Sequence, residues 1–316
     1  MPEKKIYPGQ EHYVAETDET GLGAVDAVAD ESAPTSVWGE AWRYLRHRPL
    51  FWVSATLILI AVLLALVPQL FTSTDPRLCE LTRSLDNPTE GHPFGFDRQG
   101  CDIYARTIYG ARASVVVGVL TTLVVVVIGV VIGALAGYFG GIIDAVLSRI
   151  TDIFYAIPLV LAAIVVMQMF KEHRTIITVV LVLGLFGWTN IARITRGAVL
   201  SVKNEEYVTA ARAVGASKSA ILLTHVLSNA AAPIIVYATV ALGTFIVVEA
   251  TLSFLGIGLP TTIVSWGGDI AKAQGSLRTQ PMVLFYPATA LALTVLSFIM
   301  MGDVVRDALD PKSRKR

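Results

Sequence analysis

Charge is scarce in this chain. Asp, Glu, Lys and Arg make up 16% of it and apolar residues 54%, where soluble domains carry about 25% charge. That balance excludes an ordinary soluble domain and reads as an integral membrane protein. The charges sum to zero, so no basic surface invites nucleic acid. No Gly-x-x-x-x-Gly-Lys-Ser/Thr run occurs, so no nucleotide cradle is visible and any ATP used is bound by another chain. The five histidines do not pair at metal-ligand spacing and no serine-nucleophile motif is present. Neither a catalytic nor a metal site is expected. Cysteine is down to two, Cys79 and Cys101.

What the chain has is apolar length. A helix needs about 20 residues to cross a ~30 Å hydrocarbon core. Six stretches qualify, near Leu50–Phe71, Ala113–Ala136, Ile153–Phe170, Ile176–Ile194, Ala230–Leu255 and Met282–Met301. The third and fourth are short and separated only by Lys171-Glu172-His173-Arg174-Thr175. With the N-terminus inside, cytoplasmic segments hold 16 of the 25 Lys and Arg residues, as the positive-inside rule prefers. Both termini are then cytoplasmic. Residues 1–36 are acidic and poor in large apolar groups, which reads as a disordered tail and not as a cleavable signal peptide. In 37–49, Trp38, Trp42 and Leu45 share one helical face, as in an elbow helix lying in the membrane interface. The alternative is a basic flank that only orients the first span. The membrane domain covers 50–306, and 307–316 is a basic inner tail with Lys312, Arg314, Lys315 and Arg316.

Several residues inside this frame are candidates for special roles. Cys79 and Cys101 fall in an outer loop, 72–112, where oxidation is permitted. A bridge there would be worth about 3 kcal/mol in the chain-entropy model; two free thiols are the alternative. Gly129, Gly133 and Gly137 recur every fourth residue, a face that lets another helix approach closely, in this chain or in a partner. Arg149 and Asp152 are spaced to pair across a helical turn, and Pro158 can kink the third span. Arg193 and Arg196 read as snorkelling to lipid phosphates, with helix capping or pairing to Glu205 or Glu206 as alternatives. Glu249 stands in an apolar run, and an acid at membrane depth is a candidate for translocation or gating. Trp266, in the Gly-rich outer segment 260–281, reads as an interfacial anchor.

The cytoplasmic excursion 197–228 is the most informative stretch. A chain needs only a few residues to turn around, and this one spends about 30 on it. Glu205 to Val214 favours helix, with acid at the start and Arg212 near the end, as the helix dipole prefers. Gly215 suits the left-handed position that stops such a helix, and Ser217 can cap a second one. The result is an elbow below the membrane. Glu205, Glu206, Tyr207, Ala210, Ala211, Gly215, Ala216 and Ser217 form its candidate docking surface.

Ala210-Ala211, Gly215 and His225-Val226-Leu227 resemble the "EAA" loop of ABC importer permeases, whose helix docks into the ATPase. Thr209 stands where that motif has Glu, and Ser228 where Pro is usual. The run from His92 to Arg112, with Gly95, Asp97, Gly100, Asp102, Arg106 and Gly110, resembles one ahead of the second span in dipeptide and oligopeptide permeases. Phe96 replaces the usual Thr and Cys101 the usual Arg, and the second change supports a local disulfide. Gly137–Pro158, Leu252–Gly258 and Ser265–Gly267 are similar to family runs as well. The resemblance implies an all-α type I importer permease with six transmembrane helices and a cytoplasmic coupling helix. It implies a second homologous permease, two ATPase subunits or domains that bind ATP and Mg, an external peptide-binding protein, and a bacterial inner membrane. Related machinery imports nickel chelates or glutathione. Readings from other classes are a stand-alone channel or ion-coupled transporter built on Glu249, and a membrane scaffold without transport.

Overall fold

The computed structural model describes residues 37–309. The acidic tail expected over 1–36 and the basic residues from Lys312 onward lie outside the described residues. The chain divides into two compact units, Met1–Glu40 and Ala41–Arg316. Of the first, the described part is the opening turn of helix α1 (Val37–Leu45). The second carries α2 (Pro49–Leu66), α3 (Ile103–Phe139), α4 (Gly141–Tyr155), α5 (Leu159–Met169), α6 (Ile176–Gly187), α7 (Thr189–Val202), α8 (Glu206–Ala213), α9 (Lys218–Ala220), α10 (Leu227–Phe254), α11 (Trp266–Ala273) and α12 (Met282–Leu309). Among the described residues there are isolated bridges but no strands.

Four continuous helices are long and apolar enough to cross a membrane: α2, α3, α12, and the run Lys218–Phe254 that joins α9 to α10. The third and fourth expected spans are bent pairs instead. α4 and α5 meet at 78°, α6 and α7 at 46°. Six crossings result if each pair counts as one. The first bend has a local cause. Pro158 has no N–H to donate, and its ring disfavours helical backbone in the residue before it. The second falls at Trp188, whose indole Nε1 donates to the Leu185 carbonyl at 2.9 Å. Several boundaries differ from expectation. α7 runs on to Val202, past Ile194, and the helix of the fifth expected span begins at Lys218, ahead of Ala230. α2 stops at Leu66, ahead of Pro68; α3 starts ten residues before Ala113; α12 continues through 307–309.

α3 is the hub, packing on α2, α6, α7 and α10. Its glycine face explains why α7 can lie so close. A Cβ added at Gly129 would strike Ile191, at Gly133 the Ala192 carbonyl oxygen, and at Gly137 the Arg196 carbonyl and Val199. The stripe therefore packs within the chain. Around it lie buried Val125, Trp188, Ile191 and Phe245, and towards the start of α3 a second cluster of Val117, Met167, Val179, Leu183 and Leu252.

Gly133→Val would force backbone away from backbone. Overpacking of this kind costs about 1–3 kcal/mol. The expected result is a lower melting temperature in detergent. Gly197→Val is the control, because nothing lies within 4 Å of a Cβ there.

Candidate functional site

The elbow is assembled from residues that are local in sequence. α7 ends at Val202, and Lys203 Nζ donates to the Gly137 carbonyl at 2.8 Å, tying α7 to the end of α3. Glu205 is extended (φ −63°, ψ 152°) and precedes α8, whose first residue is Glu206. Val208 is fully buried and anchors α8 to a cluster of Ala134, Val199, Ile221, Leu222, Val226 and Ala230. Ala211 turns towards the same cluster, while Ala210 is exposed. The small-residue surface expected of the pair is therefore divided between an inner and an outer face.

The helix ends as the sequence indicates. Gly215 takes φ +89°. Its N–H donates to the Arg212 carbonyl and that of Ala216 to the Ala211 carbonyl, both at 3.1 Å, which is the Schellman pattern. Ser217 Oγ then accepts from the Ala220 N–H at 3.3 Å. Beyond α9 the chain forms a π-helical segment, Ile221–Val226, before α10. Glu205, Glu206, Tyr207, Thr209, Ala216 and Ser217 are exposed, and Val214 is 90% exposed. Burial and then the Glu205 carboxylate raise the Tyr207 phenol, so it presents a neutral hydroxyl. The outer face is a short, pre-formed helix with one bare apolar tip.

Two charge pairs link α7 to α4. Arg196 meets Asp144 with Nε–Oδ1 2.5 Å and Nη2–Oδ2 2.7 Å, and Ser148 donates to the same carboxylate. Arg193 Nη2 lies 2.7 Å from Asp152 Oδ1, with its guanidinium 3.8 Å from the Tyr155 ring centroid. Both arginines therefore hold a neighbouring helix, where snorkelling was expected. Asp152 pairs across helices with Arg193 and not along its own helix with Arg149. These pairs were missed because their partners lie 41 and 52 residues apart.

Glu249 is 0% exposed. Ser114 Oγ donates to Oε2 at 3.1 Å and Ser253 Oγ to Oε1 at 2.8 Å. Ser253 Oγ in turn accepts from the Leu259 N–H at 3.2 Å. The carboxyl thus joins α3, α10 and the loop after α10. Trp266 is 0% exposed too, and its Nε1 donates to the Thr107 carbonyl at 2.7 Å. It is a core residue packed on Ala65, Ala111 and Val115, which corrects its expected place at the membrane interface. The Gly110 and Gly267 backbones make the close fit possible.

In the loop between α2 and α3, Cys79 and Cys101 form a disulfide. Asp97 Oδ1 accepts from the Gln99 and Cys101 amides at 2.8 and 2.9 Å. Asp102 caps α3 through the Tyr104 and Ala105 amides, and its other oxygen meets His92 Nδ1 at 2.6 Å. Phe94 stacks on Tyr286 with ring centroids 3.8 Å apart. The family-like run in this loop therefore organises the loop and the start of α3.

A family model described as "Binding-protein-dependent transport system inner membrane component" matches residues 129–315. A second, "N-terminal TM domain of oligopeptide transport permease C", matches residues 36–88. The chain is 37% identical to the oligopeptide transport system permease protein OppC of Bacillus subtilis (strain 168), over 92% of this chain and 95% of that protein. It is 38% identical to the glutathione transport system permease protein GsiD of Salmonella typhimurium (strain LT2), over 87% and 90%. Among solved structures it is similar to a chain of the MetNI methionine ABC transporter in an inward-facing conformation. The TM-score is 0.55 at 20% identity, covering 65% of this chain and 96% of that one.

The disulfide spans a sequence separation of 22. Replacing both Cys79 and Cys101 by Ser should cost about 2–4 kcal/mol. Thermal unfolding in detergent, with and without reductant, checks this: reductant should lower the transition of the wild type and leave that of the double variant unchanged.

Proposed function

This chain belongs to the family of binding-protein-dependent transport system inner membrane components, and from that premise we propose that it is one of two permease subunits of an ATP-driven peptide importer. It forms half of the translocation path. It carries no catalysis of its own, and two ATPase subunits or domains bind ATP and Mg. An external binding protein delivers di- or oligopeptides. Both termini and the elbow lie in the cytoplasm of a bacterial cell. The peptide cargo follows from the oligopeptide and dipeptide permeases among its relatives. The glutathione permeases, at similar identity, support a second cargo reading, itself a tripeptide.

The observation that carries the proposal is α8 itself. It is seated by buried Val208 on one side and bare on the other, with its exit set by Gly215. A stiff helix anchored to the ends of α3, α7 and α10 transmits a displacement, where a solvated loop would absorb it. We take closure of the ATPases to push on α8, and the Arg193–Asp152 and Arg196–Asp144 pairs to carry α4 along with α7. Shifts of packed helices of this kind are the usual means of switching. Glu249, enclosed by serines, serves as a latch between α3 and α10.

Gly215→Val tests the elbow. No atom lies within 4 Å of a Cβ there, so the cost is purely conformational, about 1–2 kcal/mol or more for a β-branched residue in left-handed backbone. The chain should still insert and assemble, but peptide uptake and peptide-stimulated ATP hydrolysis should fall at least several-fold. Wild-type uptake by that variant would refute the coupling role. Mass spectrometry of what co-purifies from native membranes tests the partners. ATPases and a second permease are expected, and the chain recovered alone and folded would refute the importer assignment.

A further inference from the structure

The bends of the two bent pairs share one hollow. Tyr155 and Pro158, at the α4–α5 bend, and Gly187 and Asn190, at the α6–α7 bend, line a space of about 200 Å³ whose third wall is α10, at Tyr237 and Thr244. Each bend lies near the middle of its own path, Gly141–Met169 and Ile176–Val202, and Tyr237 lies near the middle of the run Lys218–Phe254. No charged residue lines the hollow among the described residues, yet the lining is not apolar. Asn190 is exposed, and its side chain approaches the Tyr237 hydroxyl. Neither group has a further side-chain partner among the described residues. Thr244 is exposed too, and its Oγ1 donates to the Val240 carbonyl at 3.2 Å while keeping its lone pairs. Tyr155 is 50% exposed, and Arg193 of α7 holds its ring from one side.

A broken helix and an open Asn midway along a span do not suit lipid. Non-helical backbone is tolerated inside a membrane only where protein encloses it or water fills the space beside it. A side-chain amide carries donors and acceptors that hydrocarbon leaves unmet. This chain does not enclose them, because Asn190, Thr244 and Tyr155 all keep accessible surface. The hollow is smaller than a closed small-molecule site of about 300–1,000 Å³, which fits one wall of a site that a second permease completes. Its chemistry selects the ligand. A charge in the wall would seize one terminus of a peptide. An amide, a phenol and a hydroxyl instead answer the N–H and C=O groups that every peptide repeats. We propose that this hollow is a mid-membrane contact for cargo, where Asn190 and Tyr237 hydrogen-bond the main chain of a passing peptide. The choice of a peptide rests on the import reading above; the water-filled hollow does not.

The test uses the whole assembly, this chain with its partner permease and ATPases, in nanodiscs for labelling and in proteoliposomes for uptake. Both cysteines of the chain are tied in the disulfide, so Asn190→Cys places a single free thiol at the hollow. A water-soluble, positively charged thiosulfonate reagent should modify it at least about tenfold faster than Leu123→Cys, an exposed apolar position on α3, because the reactive thiolate forms only in water. Saturating trialanine with binding protein and ATP should slow that reaction several-fold. Asn190→Leu should lower maximal uptake of trialanine at least about fivefold, as loss of one hydrogen bond does, and Asn190→Gln should restore most of it. Melting temperatures establish that each variant is folded, and Tyr237→Cys serves for labelling if Asn190→Cys is not. A thiol at the hollow no more reactive than Leu123→Cys overturns the proposal and gives this face to lipid or to the partner permease. Reactivity indifferent to peptide, or wild-type uptake by Asn190→Leu, overturns the cargo contact. Uptake with an unreactive thiol defeats the hollow and leaves the importer intact, whereas a reactive thiol in an assembly that takes up no peptide defeats the importer and leaves a water-filled hollow.

Discussion

The close seating of α7 on the glycine face of α3 sets the geometry of the elbow and of the helices that carry it. Three glycines in register bring backbone against backbone, so that carbonyl oxygens of α7 occupy the places where side chains of α3 would be. In a bilayer no hydrophobic effect drives helices together, because lipid tails are as apolar as the side chains they replace; close packing must supply the attraction. Once α7 lies at that distance, Arg193 and Arg196 reach α4, and Lys203 reaches the last turn of α3. The charge pairs are partly exposed and individually weak. They orient helices that the glycine contact has already brought together.

From that base the elbow inherits its stiffness. α8 is only eight residues long, too short to persist as an isolated helix. It is ordered by Val208 below, by the Schellman turn at its end, and by the capped start of α9. All of these are short-range devices acting on a surface made by α3, α7 and the start of α10. The bare tip at Val214 and the exposed acids at its start are then presented in a fixed orientation.

The region around the start of α3 relies on polar locks rather than on small residues. Glu249 with its serines, Trp266 with the Thr107 carbonyl, and Arg106 with Asp269 each bridge elements far apart in the chain. The disulfide and the Asp97 and Asp102 turns stiffen the loop that completes this region. Buried groups of this kind cost stability unless satisfied. Glu249, Trp266 and Arg106 each find partners on another element.

Features encoded by a local rule could be read directly from the chain. Spanning helices follow from the length of apolar runs, because the bilayer core has a fixed thickness. The elbow's stop at Gly215 and restart at Ser217 follow from backbone freedom and from a hydroxyl that reaches its own next turn. The proximity of Cys79 and Cys101 was open in the sequence and depended on how the outer loop folds. Tertiary structure alone decided that the glycine stripe faces α7, that Arg193 and Arg196 serve α4, that Glu249 is sealed among serines, and that Trp266 is core rather than anchor. Each of these is a contact across tens of residues of sequence, or depends on one. A charge or an indole in an apolar run has the same local signature whether it meets lipid, water or another helix, and only the packed arrangement of helices supplies its partner.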